Sequence, residues 1–386
     1  MNLPKKIFAL LFLCAFTNYF SQDSSLARKD IDFLTSKVCW GRGYTNKGLE
    51  KAAEYLNKSF KTIGLKPLNK KKYSQFLYMN VNTFPGKMEV IADGKKLIPG
   101  VHFIVDNESK GISGGFMLFK KDSVTYHAAD ARSTVPLIIS LQKKLTWSAS
   151  QKVSEGTIIE LLKDSFQKEI KNMDVQIETK FVKNYKMQNI CGFIPGTEKK
   201  DSFIVFTAHY DHLGGMGSTT FFPGANDNAS GVSLVLQLAR YYKLNPPKYN
   251  VAFLLFCGEE AGLVGSKYFT ENPLMPLSKI KFLVNLDLLG TGDEGITVVN
   301  ATEFKKEFDL LKSINDEKKL LSLVKPRGKA QNSDHFYFGQ KGVHCFFIYT
   351  MGGIKAYHDV YDISKTLPLT KYKEVFLLLT EFVARF

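Results

Sequence analysis

Three places in this 386-residue chain put imidazole and carboxylate groups where apolar runs stop. Phe203-Ile-Val-Phe-Thr-Ala208 has the continuous apolar character of a buried parallel strand and runs into His209-Tyr-Asp211-His212. Val251 to Phe256 is a second such strand and ends in Cys257-Gly258-Glu259-Glu260, while Lys281 to Leu286 ends in Asp287. Between the first two lies Gly224-Ala-Asn-Asp227-Asn-Ala-Ser-Gly231, and far downstream Gly352-Gly353 leads a loop to Tyr357-His358-Asp359. A hydrolytic centre holding two divalent cations needs a His and carboxylates for each ion, one carboxylate shared, and open positions for water and substrate. His209, Asp227, Glu259, Glu260, Asp287 and His358 can supply that set. Neighbouring side chains leave a strand end in different directions, so one of Glu259 and Glu260 can bind metal while the other faces substrate as a base. Asp211 is placed to reach back to the second ring nitrogen of His209 and fix its tautomer.

Each residue also has a plainer reading. An Asp after an apolar strand commonly caps a helix, and Glu259-Glu260 can start one and favour its dipole. Asp227 fits an N-cap in a Gly-Asn loop, and a lone His358 is ordinarily a surface residue. The joint placement at successive strand ends, where open α/β sheets bind their ligands, is what points to chemistry.

The elements that must carry these groups follow from periodicity. Val232, Val235, Leu236 and Ala239 share one face of a helix after the Gly-Asn loop. Leu49, Ala52, Ala53, Leu56, Phe60 and Ile63 mark another, within a stretch from Leu26 to Phe84 that reads as helical and that Gly64 interrupts. Strands are expected at Met187–Ile194 and Val343–Thr350, and helices near Leu263–Phe269 and Tyr372–Phe386. From Pro85 to Lys171 the texture is different. Asp93-Gly94 joins a hairpin, short strands follow at Val101–Val105, Phe116–Phe119 and Val135–Leu141, and Ile158–Ile170 reads as a helix. This block has no ligand cluster. Its isolated His102 and His127 read as packing or surface residues. It is expected to be a β-rich accessory insert, residues 85–171, between the two parts of the main domain, residues 23–84 and 172–386.

Residues 1–22 read as a signal peptide. Lys5-Lys6 precede an apolar run from Ile7 to Phe16, then polar Thr17-Asn18 and a cleavage position near Ser21-Gln22. The run is too short to span a bilayer, so the protein is expected to be exported, periplasmic or secreted, without stable membrane insertion. Leu13 before Cys14 is too bulky for lipoprotein processing. Cys39, Cys191, Cys257 and Cys345 are widely spaced, lack zinc-finger spacing and read as buried thiols, although export permits a disulfide. The net charge of +15 is spread over a Lys-rich surface. No Arg-rich stretch or aromatic-interleaved basic stripe points to nucleic acid.

The motifs His209-Tyr-Asp-His-Leu-Gly214, Gly224–Gly231, Gly258-Glu-Glu-Ala-Gly-Leu-Val-Gly-Ser266, Asn285-Leu-Asp287, Ser333-Asp-His335 and Tyr357-His358, in that order, resemble the exported zinc aminopeptidases of clan MH. That family includes bacterial leucyl aminopeptidases and glutamate carboxypeptidase II. The resemblance implies an α/β three-layer sandwich with a mixed, mostly parallel central sheet. It implies two Zn2+ ions, with His209 and Asp287 on one, Glu260 and His358 on the other, and Asp227 bridging. Such ions sit roughly 3.5–4 Å apart. Glu259 is then the general base, and a cis peptide is expected after Asp227. Some members place an oxyanion-stabilising Tyr where this chain has Ala330. The glutamate carboxypeptidase-like branch uses the Tyr before the last His, which makes Tyr357 the candidate here. The insert resembles a protease-associated domain only at Val135-Pro-Leu-Ile-Ile-Ser140.

The implied activity is aminopeptidase cleavage of peptide substrates. Carboxypeptidase or dipeptidase action, side-chain preference and oligomeric state stay open. The competing readings are a glutaminyl cyclase, which shares the fold with one zinc, and a binding protein on a dead peptidase scaffold. The full ligand set weighs against both.

Overall fold

The computed structural model describes residues 24–129 and 133–386. The expected signal peptide lies outside these residues. A mixed sheet forms the centre. Its middle strands Tyr249–Phe256, Lys199–His209, Ile280–Leu286 and Cys345–Thr350 are neighbours in that order and run parallel. Antiparallel strands flank them: Lys180–Ile194 pairs with Tyr249–Phe256, and Ile296–Val299 pairs with Cys345–Thr350. Parallel strands put their C-terminal ends on one edge, so His209, the Glu259-Glu260 turn and Asp287 emerge together.

Alternation along the strands sorts side chains to two apolar layers. Ile204 and Phe206 face one cluster together with the helices Ser24–Leu34, Gly48–Ile63, Gly231–Leu244 and Tyr372–Ala384. Val205, Ala252 and Leu254 face the other, with Phe269 and Phe338 from Val264–Glu271 and His335–Gln340. Helix, sheet and helix thus make the three layers expected. In Gly231–Leu244 the side chains of Val232, Val235, Leu236 and Ala239 are fully buried, and burial of each Val or Leu contributes roughly 1.5–3 kcal/mol. Gly64 ends Gly48–Ile63 at φ 84°, donating its N–H to Phe60 and Lys61 carbonyls. The four cysteines beyond residue 24 are buried free thiols.

A second, eight-stranded sheet is drawn from residues 88–177 and has its own core. Its hairpin turns at Asp93-Gly94, both at positive φ. Three expectations need correction. Ile158–Ile170 is not a helix: Thr157–Leu162 is a strand parallel to Leu137–Gln142, and Lys163–Ser165 is a 3-10 turn. Its β-branched Thr157, Ile158 and Ile159, with alternating burial, suit a pleated surface, and the partner strand was the information missing locally. Ser74–Thr83, inside the stretch read as helical, is a strand paired along Lys180–Ile194. The strand Asn172–Ile177 lies beyond the expected boundary at Lys171, because it pairs with Met88–Ala92 and Ile112–Lys120 of the second sheet. The two cores meet where Leu213, Met216 and Phe222 of the main unit join the second.

Candidate metal centre

Asp227 stands between two imidazoles. Its Oδ1 lies 3.2 Å from His209 Nε2, and its Oδ2 lies 3.1 Å from His358 Nε2. His209 Nε2 also faces Asp287 Oδ2 at 3.4 Å, and His358 Nε2 faces Glu260 Oε2 at 3.1 Å. Two donors about 2.0–2.2 Å from one tetrahedral ion stand roughly 3.3–3.5 Å apart, so these separations fit shared ligation. Asp287 Oδ1 is buried with no hydrogen-bond partner, another sign that the cluster suits cations. Glu259 lies within the same group as His209 and Asp287.

The ring protons are assigned by carbonyls, which only accept. His209 Nδ1 donates to the Asp211 carbonyl at 3.2 Å, and His358 Nδ1 donates to the Trp147 carbonyl at 2.8 Å. Both Nε2 atoms therefore point at the carboxylates. The expected carboxylate contact of Asp211 is corrected: its Oδ1 stays 3.8 Å from His209 Nδ1. That carboxylate accepts the Glu259 and Glu260 N–H groups at 3.1 and 3.3 Å and the Tyr44 hydroxyl at 3.2 Å. Asp211 thus fixes the Glu-Glu turn, which Gly258 enters at φ 71°.

Each remaining ligand candidate has its own support. A hydrogen-bond chain runs from Thr207 Oγ1 to Asn285 Oδ1, from Asn285 Nδ2 to Ser333 Oγ, and from Ser333 Oγ to Asp287 Oδ2. The 224–231 loop is pinned from outside. Arg42, fully buried, donates to the carbonyls of Leu34, Tyr210, Pro223, Gly224 and Asp227. Asp362 accepts the Asn226 and Asp227 N–H groups at 2.8 and 3.0 Å, and burial raises its carboxyl to about 6. A Cβ on Gly224 would fall 2.1 Å from the Asp227 carbonyl oxygen. The Asp227-Asn228 peptide is cis.

Burial pushes the Glu259 carboxyl well above its usual range, outweighing the nearby His209 charge, with Glu260, Asp334 and Asp287 adding to the rise. Asp334 is raised to about 7, chiefly by burial. Tyr357 lines a cleft of about 220 Å3 with Glu259, Leu288, Phe347 and Tyr349, and its ring stacks on His358 at 4.0 Å between centroids. Burial first, then Asp227 and Glu260, keep its hydroxyl protonated. His335 is outside the centre, packed on Phe347 and held neutral by burial, at about 4. His102 and His127 lie in or beside the second sheet, away from the centre; His102 Nδ1 accepts the Ile98 N–H.

Sequence reasoning brought together every proposed ligand but missed four residues that hold them. His212, whose Nδ1 is 2.6 Å from Glu260 Oε1, had a signal in its spacing from His209. Arg42, Asp362 and Trp147 had none, being remote in the chain.

The fold and site together define an α/β protein whose sheet edge gathers imidazole and carboxylate groups close enough to one another to hold a metal ion. A sequence model of peptidase family M28 matches residues 189–383, and the chain belongs to that family. It is similar to aminopeptidase YwaD of Bacillus subtilis, with 27% identity over 248 residues, covering 60% of this chain and 52% of that one. A probable zinc metalloprotease of Leptosphaeria maculans is 32% identical over 114 residues, covering 28% and 26%. The chain therefore spans about half the length of the first relative and about a quarter of the second. In fold it is similar to BSAP, a zinc aminopeptidase from Bacillus subtilis, with TM-score 0.68 at 18% identity over 94% of this chain and 95% of that one.

Proposed function

We propose that this protein is a zinc-dependent exopeptidase with two metal positions, an aminopeptidase releasing N-terminal residues from peptides. The observation that carries the reading is Asp227, whose two oxygens each face a different imidazole, at 3.2 and 3.1 Å. His209 and Asp287 would hold one ion and Glu260 and His358 the other, with Asp227 between. The zinc in the names of the relatives and the carboxylate–imidazole donor set support that metal.

Zinc held by these residues would supply Lewis-acid charge at the scissile carbonyl and lower the pKa of the attacking water. Glu259 takes the proton from that water and delivers it to the leaving amine. Tyr357, protonated and beside the cleft, donates to the oxygen on which negative charge develops. Asp211 keeps Glu259 aimed through the backbone. Leu288, Phe347 and Tyr349 give the cleft an apolar wall for substrate.

The test is a metal-quantified activity screen with free-amine, amine-blocked and dipeptide substrates. Turnover of free-amine substrates alone supports the aminopeptidase. Zinc-loaded protein that cleaves none of the three overturns the reading. Formation of pyroglutamate from an N-terminal Gln peptide would instead favour a cyclase.

We propose export as well, on the basic and apolar pattern of residues 1–22. N-terminal sequencing of the protein from a secreting host should begin near Asp23. A mature chain that retains Met1 argues against it.

A further inference from the structure

We propose that the segment Lys144–Trp147 of the second-sheet unit is a positioning clasp for His358, so that the ion held by His358 and Glu260 depends on the insert. This rests on the metal reading above and goes beyond it by assigning the insert a task.

The contact is reciprocal. The Trp147 N–H donates to the His358 carbonyl at 2.9 Å, and the His358 ring returns Nδ1–H to the Trp147 carbonyl at 2.8 Å. One bond locates the backbone of His358 and the other fixes its ring rotation and tautomer. His358 sits at φ 53°, a left-handed conformation that a non-glycine residue keeps only when its surroundings impose it. Lys144 grips the same loop on either side. Its ammonium donates to the carbonyls of Lys355 and Tyr357 at 3.0 and 3.2 Å and pairs with Asp359 Oδ2 at 3.3 Å. Asp359 in turn accepts the N–H groups of Tyr357 and Tyr361.

The clasp itself is anchored in the second core. Trp147 Nε1–H donates to the Val105 carbonyl at 2.8 Å, its ring stacks on Phe222 at 4.7 Å and meets Phe84 edge-on at 5.8 Å. Phe222 immediately precedes Pro223-Gly224, the start of the Asp227 loop. His358 follows Gly352 and Gly353, both at positive φ, on a loop outside the regular strands and helices. Its ring is therefore held from the insert, whereas His209 is held from within its own strand end.

Zn2+ binding to metal-stripped protein, measured by chelator competition, tests this. The unaltered protein should take up two equivalents, and His358→Ala should identify which one belongs to His358. Lys144→Met and Trp147→Ala should weaken that equivalent roughly 10–100-fold and leave the other within about threefold. Lys144→Arg should restore much of it. Thermal unfolding of the metal-free forms separates misfolding from misplacement; if Trp147→Ala does not fold, Trp147→Phe and Lys144→Met carry the test. Unchanged binding in the folded variants, or equal weakening of both equivalents, overturns the clasp while leaving the metal reading intact. Uptake of fewer than two equivalents by the unaltered protein sinks the metal reading itself, and the clasp with it.

Discussion

His212 Nδ1 meets Glu260 Oε1 at 2.6 Å, on the carboxylate oxygen opposite the one that faces His358 at 3.1 Å. Burial and the Asp227 charge push the Glu260 carboxyl up, but the His358 and His212 rings outweigh them and hold it at about 2. His212 thus keeps Glu260 ionised and turned toward His358. His212→Ala is expected to weaken zinc affinity about 10–100-fold. Competition with a zinc chelator measures it, and an unchanged affinity would deny His212 that task.

Glu259→Gln separates binding from chemistry. The amide keeps the size of the side chain and the Asp211 contact to its N–H, but has no carboxylate to accept a proton. Zinc content should stay at the level of the unaltered protein while kcat falls roughly 10²–10⁴-fold. Retained turnover would remove Glu259 from the role of base.

Tyr357→Phe keeps the ring stacked on His358 and removes only the hydroxyl. A donor that acts on developing charge affects the transition state more than the bound substrate. The expected result is a fall in kcat of about 10²–10³-fold with KM within a few-fold. A change confined to KM would make Tyr357 a substrate contact instead.

Zinc uptake should release protons. Burial pulls His358 down, but Glu260 and Asp227 outweigh it and push the ring up to about 11 in the metal-free protein. His209 is likewise held well above its usual value, against burial, by the Asp287 and Glu259 charges and by its contact with Asp227. Both rings are charged at neutral pH, and ligation needs a free Nε2, so about two protons must leave. Affinity therefore rises with pH and falls on acidification. Calorimetry in buffers of differing ionisation enthalpy reads the proton count; a flat affinity between about pH 6 and 8 would contradict it.

Arg42→Met removes a buried guanidinium that satisfies five carbonyls in three separate stretches, the last reaching Asp227. Each buried acceptor left unpaired costs about 1–3 kcal/mol, so a loss of more than about 3 kcal/mol is expected. Urea unfolding of the metal-free protein measures it, and a loss below about 1 kcal/mol would mean water replaces the guanidinium.

What the sequence determined is the set of donors and the strands that carry them. Apolar runs of strand length ending in His209, Glu259-Glu260 and Asp287 are local patterns, and parallel pairing then places their ends on one edge with no further information. The helix Gly231–Leu244 was legible for the same reason, since its period is written in four buried side chains. Tertiary structure decided what holds those donors. Thr157–Leu162 took strand form because Leu137–Gln142 lay beside it, and Asp211 gave His209 its carbonyl because its carboxylate was needed at the Glu259 and Glu260 amides. Arg42, Asp362 and Trp147 reach the centre through backbone carbonyls and N–H groups far away in the chain. Every residue but proline offers both groups, so no residue type or spacing could announce which of them would be met.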